Sequence, residues 1–144
     1  MIEIKEMMLR LTLAFVLGGI IGLEREKKGG WAGLRTHILV CLGSCLIMVV
    51  SVHIFDVYRN QASIDPGRIA AGVVTGIGFL GAGTIIRSRE GIKGLTTAAS
   101  IWMSSAIGLS VGSGFIAAAV FSTFLTYLCL SFLKRAENIN KHKK

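Results

Sequence analysis

The stretch LTTAASIWMSSAIGLSVGSGFIAAAVFSTFLTYLCLSFL, residues 95–133, holds no Asp, Glu, Lys or Arg in 39 positions. It is too long for one crossing of a hydrocarbon core of about 30 Å, for which about 20 residues suffice. Gly108-Leu109-Ser110-Val111-Gly112-Ser113-Gly114 near its middle is the place where the chain can turn. The stretch therefore reads as two apolar helices joined by a tight turn. Two more uncharged runs precede it, at residues 38–52 and 69–86, and a shorter one at 11–23. Together they predict an all-α, polytopic transmembrane bundle of five spans, at about 7–23, 36–52, 68–86, 95–110 and 114–133, followed by a basic cytoplasmic tail at 134–144.

The 144 residues are 52% hydrophobic and 17% charged, and the charge is confined to the joints between apolar runs. A net charge of +8 could suit nucleic acid, but the basic residues fall in short clusters flanking the runs, so the expected partner is the lipid bilayer and not nucleic acid. Of the sixteen Lys and Arg, twelve lie in alternate joints, the first, third and C-terminal ones, and four in the others. By the positive-inside rule the N-terminus faces out and the C-terminus faces the cytoplasm. Arg10 is expected to snorkel outward and Trp31 to sit at headgroup level. The first run is retained rather than cleaved, since Glu24-Arg25-Glu26 stands where a signal peptide would have small residues.

Span three opens with Asp65-Pro66-Gly67-Arg68, an outer-side helix start in which Asp65 caps and Pro66 takes the first helical position. Small residues recur every four positions in three spans: Ala14, Gly18 and Gly22; Gly72 and Gly76; Thr96, Ser100, Ser104, Gly108 and Gly112. In lipid such stripes permit close backbone approach, either within the bundle or at a subunit interface. Gly76, Gly78, Gly81 and Gly83 make span three dense enough in glycine to bend or unwind, as an ion path would use, or simply to seat a neighbouring helix.

A polar set should gather on the cytoplasmic face: Glu24, Arg25 and Glu26, then Arg35, Thr36 and His37, then Arg87, then Thr96 and Thr97. Glu24 and Arg35 are the pair expected to neutralise one another, because an unpaired charge at the membrane edge is costly. This set reads either as a network locking the loops or as a binding or coupling site. His37, Cys41 and Cys45 share a helix face and could offer a soft metal three ligands, but membrane-buried cysteines more often pack as small apolar residues, so neither metal nor cofactor is expected. Asp56, Arg59, His53 and Asp65 flank a solvated outer loop, where carboxylates could meet external cations. The cysteines form no disulfide framework, and no nucleophile–base set or carboxylate pair points to an enzyme.

Several ordered motifs resemble one known family: Gly22-Leu23-Glu24-Arg25-Glu26, Gly33-Leu34-Arg35-Thr36-His37, Gly67-Arg68-Ile69-Ala70-Ala71-Gly72, residues 76–83, and Gly94-Leu95-Thr96-Thr97-Ala98-Ala99-Ser100-Ile101-Trp102. Between residues 11 and 114 the chain looks like the MgtC/SapB family of bacterial inner-membrane proteins. The resemblance implies a multi-pass helical protein tied to growth under magnesium limitation and to survival in acidic phagosomes. Virulence-type members are thought to restrain the membrane ATP synthase by contact rather than to carry magnesium, and they have a soluble C-terminal domain. This chain reads as a short, membrane-only member. The motif positions that map are Glu24, Arg25, Arg35, Thr36, Arg68, Gly78, Gly81, Gly83, Thr96, Thr97 and Trp102. Two functions remain open: helix-mediated contact with a second copy, as a homodimer, and with another membrane complex, or a small oligomeric ion or proton transporter.

Overall fold

The computed structural model describes residues 2–60, 65–89 and 91–133. Five helices follow in order, α1 (Ile4–Lys27), α2 (Leu34–Tyr58), α3 (Pro66–Ala82), α4 (Leu95–Gly112) and α5 (Ile116–Leu128), the last continuing into a wider π-type turn at Cys129–Leu133. A two-stranded hairpin, β1 (Ile86–Ser88) and β2 (Gly91–Lys93), stands between α3 and α4. α1, α2 and α4 are long and apolar enough to cross a membrane, while α3 and α5 are apolar but shorter. The basic tail, residues 134–144, lies outside the described residues.

Around an apolar core that includes Leu17, Ile21, Val49 and Ile107, the bundle exposes large apolar side chains and buries polar ones. Phe79 is 82% exposed and Leu39 67%, whereas His37, Ser51 and Ser104 are fully buried. Lipid is the medium in which that arrangement is stable, since the apolar surface needs no shielding and the polar groups need one another. α2 is the hub, packed against α1, α3 and α4.

Glycine sets how closely those helices approach. A Cβ on Gly18 would fall 2.8 Å from the Cys41 Cβ and from the His37 carbonyl oxygen, and one on Gly108 would fall 2.1 Å from the Cys41 carbonyl oxygen. Gly22 and Gly112 are as tightly held, against Leu34 and against Cys45 and Met48. The stripes of α1 and α4 thus serve the interior of one chain. The turn expected across Gly108–Gly114 is narrower than its glycines suggest: Gly108 and Gly112 stay helical, and the chain reverses at Ser113, Gly114 and Phe115, with Gly114 at φ +89°. There the Phe115 amide donates to the Ser110 carbonyl at 3.0 Å, closing the end of α4.

Arg10 does not snorkel outward. Its side chain is only 12% exposed, it pairs with Glu6, and Nη1 donates to the Gly112 carbonyl at 2.7 Å. The carbonyls at the C-terminus of α4 carry partial negative charge, which attracts the guanidinium inward.

Span three, expected to run to residue 86, ends as a helix at Ala82. Of the two readings of its glycines, the helix shows no unwinding: it stays regular from Pro66 to Ala82. Asp65 opens it, its Oδ1 accepting from the Gly67 amide at 2.8 Å with Pro66 in the first turn. Ile86 pairs with Lys93 and Arg87 with Ile92 in the hairpin. Gly94 is obligatory: it has φ +90°, and a Cβ there would lie 1.8 Å from the Thr84 carbonyl oxygen.

Candidate functional site: the polar cluster at the basic end

The end of the bundle carrying the Lys- and Arg-rich joints brings together the last turn of α1, the first turns of α2 and α4, and the final turn after α5. Arg25, 7% exposed, donates from Nη2 to Thr97 Oγ1 at 3.3 Å. Its Nε has no hydrogen-bond partner, and Gly30 lies directly against the guanidinium, where a Cβ would come within 2.8 Å of Nη2. Glu24, 6% exposed, faces the Lys28 ammonium at 3.0 Å. That ammonium also donates to the Ser131 carbonyl at 2.6 Å and the Leu130 carbonyl at 3.4 Å, tying α1 to the wide final turn. Glu26 Oε2 accepts from the Leu34 amide at 2.8 Å and so caps α2 from outside its own sequence.

Beneath these charges lies His37, fully buried. Its Nδ1 is 2.8 Å from the Gly33 carbonyl oxygen, so Nδ1 carries a proton and donates. In the neutral ring Nε2 then accepts from Ser100 Oγ at 3.0 Å. The same hydroxyl is 2.9 Å from the Thr97 carbonyl, so one proton faces two acceptors. Deeper still, Ser44 and Ser105 share a hydrogen bond of 2.8 Å, and the Ser104 hydroxyl has none.

Of the residues expected to converge, Glu24, Arg25, His37 and Thr97 are buried together. Arg35, Arg87 and Thr96 are exposed, and Thr36 is half-buried. The expected Glu24–Arg35 pair is not formed. Lys28, one helical turn after Glu24, reaches the carboxylate first, and Arg35 projects away from the bundle. Ser100, Ser105 and Ser44 also bond across helices, and of these only Ser100 belongs to the four-residue stripe of α4; Ser44 and Ser105 carry no signal in the sequence. The face shared by His37, Cys41 and Cys45 is buried against α1 and α4, and no group of three or more His, Cys, Asp or Glu among the described residues is placed to hold a metal. A Cβ on Gly81 of α3 would meet the Ala98 carbonyl at 3.6 Å and one on Gly83, just past the helix, the Leu80 carbonyl, but a Cβ on Gly72, Gly76 or Gly78 would meet nothing within 4 Å. Asp65 and Arg68, at the opposite end, are exposed.

The model of the MgtC family matches residues 11–139, which takes in α2 to α5, α1 from Leu11 onward and every buried side chain of this cluster. The chain belongs to the MgtC family. It is 48% identical over 127 residues to the putative magnesium transporter YhiD of Escherichia coli K12, covering 87% of this chain and 59% of that protein. It is 41% identical over 135 residues to the protein MgtC of Salmonella typhimurium LT2, covering 92% and 55%, and 39% identical over 133 residues to the protein SapB of Bacillus subtilis, covering 89% and 56%. The chain thus spans between half and three-fifths of these relatives' length. No solved structure gives a significant match. As a family member the chain places Glu24, Arg25 and Thr97 in the buried cluster, while Arg35, Arg68 and Thr96 lie on its surface.

Proposed function

We propose that this MgtC-family protein is a non-enzymatic, multi-pass protein of the bacterial inner membrane. It acts by helix contact with a second copy of itself and with another membrane complex, in adaptation to magnesium limitation or acid stress. The observation that carries this reading is an asymmetry among the small-residue stripes. Those of α1 and α4 are consumed inside the chain, whereas Gly72, Gly76 and Gly78 on α3 face open space. Gly43 on α2 is equally open and lines the same groove as Gly72 and Gly76. Small residues facing lipid on two neighbouring helices allow a third helix to approach closely, and dispersion then favours association. The test is the mass of the detergent-solubilised protein and its co-purification with membrane partners: Gly72→Ile is expected to give a monomer that folds normally. An unchanged oligomer or unchanged co-purification overturns the reading.

A second reading is favoured by the name of the Escherichia coli relative, a putative magnesium transporter. Under it, the buried charges of the basic end gate a cation or proton path. Purified protein in liposomes separates the two: flux of Mg²⁺, K⁺ or H⁺ that is lost in Glu24→Ala supports transport, and silence for all three removes it.

A further inference from the structure

We propose that the apolar groove between α4 and α5 binds an anionic phospholipid, one acyl chain lying along the groove and the phosphate resting at the first turn of α4. The groove encloses about 830 Å³ and is lined by Leu95, Thr96, Ala99, Trp102, Leu125 and Leu130, among others. It is a furrow wide enough for a chain, flanked by exposed apolar side chains that already face lipid: Leu95 is 56% exposed, Trp102 48% and Leu125 49%.

Charge selects the headgroup. The groove begins at the N-terminus of α4, where no side chain caps the first turn, so amide N–H groups and the positive end of the helix dipole are directed toward any anion there. Arg25 bonds Thr97 in that same turn while more than nine-tenths buried and with Nε unpartnered, a positive charge poorly screened by solvent. Lys28 reaches the groove's own wall through the Leu130 carbonyl. The hairpin leading into Leu95 adds exposed Arg87 and Lys93. Among the described residues, the nearby carboxylates are engaged: Glu24 faces Lys28, the two charges offsetting one another, and Glu26 caps α2, so the field at the groove comes from Arg25, Arg87, Lys93 and the helix end. A zwitterionic lipid would gain the groove but not the field.

Trp102 lines the groove and Trp31 does not, which provides the readout. The full chain in detergent, in a Trp31→Phe background, is titrated with phosphatidylglycerol or phosphatidylcholine bearing brominated chains, and Trp102 emission is followed. Phosphatidylglycerol is expected to reach half-quenching at about a fivefold lower mole fraction, the preference that one surface basic contact supplies. The exposed double variant Arg87→Gln/Lys93→Gln should lose most of that preference, and Ala99→Phe, which fills the furrow, should lose the quenching by both lipids. Equal quenching by the two lipids in the parent, an undiminished preference in the double variant, or unchanged quenching in Ala99→Phe overturns the proposal. So does an equal preference read from Trp31 in a Trp102→Phe background, since that would report general attraction to the basic end.

Discussion

His37 is held by the backbone of its own helix start on one side and by a serine of α4 on the other. Fully buried, it gives Nδ1–H to the Gly33 carbonyl and takes the Ser100 hydroxyl at Nε2. Ser100→Ala removes that second partner and leaves a ring nitrogen buried and unsatisfied. The expected loss is about 1–2 kcal/mol of stability, read as a lowered midpoint in thermal unfolding in detergent. Ser100→Thr, which keeps the hydroxyl, should recover part of it. If the alanine variant unfolds at the parent temperature, the His37–Ser100 contact is not contributing. His37 and Arg25 were visible in the sequence as polar residues at a helix edge. That Ser100 is the partner was not, because a serine in an apolar run looks the same whether it bonds its own helix or a neighbour's.

At the scale of the element, the small-residue stripes look alike in sequence and differ in space. Gly108 and Gly72 both recur at four-residue intervals, yet one is pressed against the Cys41 carbonyl and the other touches nothing. Gly108→Ala therefore forces α4 away from α2, with an expected loss of about 3 kcal/mol. Gly72→Ala is expected to leave the isolated chain unchanged or more stable by up to about 1 kcal/mol, since alanine is the better helix former. Unfolding midpoints of the two variants, measured side by side, check the contrast, and equal losses would contradict it. The hairpin after α3 escaped the sequence because strands of three residues leave no period to detect, and Ile86 and Ile92 read as readily as the end of an apolar run.

For the whole molecule, the charge asymmetry predicts which end faces the cytoplasm. Cysteine placed at Arg59, between α2 and α3, should react with a membrane-impermeant maleimide in intact cells. Cysteine placed at Arg89, in the hairpin, should react only after the cells are opened. The reverse pattern would invert the orientation. Cys41 and Cys45 are fully buried, which keeps their background low. Cys129 is exposed on the bundle and is best removed beforehand.

The sequence by itself determined that five apolar helices form, where their charged joints fall and that lipid is their surroundings. Long uncharged runs leave no other way to satisfy the backbone. Only the tertiary structure decided which polar groups meet. Lys28 rather than Arg35 takes Glu24, Arg10 turns in to the end of α4, and the glycines of α3 are left open while those of α1 and α4 are not. Those outcomes depend on the rotation of each helix about its axis, and the packing of neighbours sets that rotation. Hydropathy along the chain is nearly blind to it, because in lipid the outward face is as apolar as the inward one.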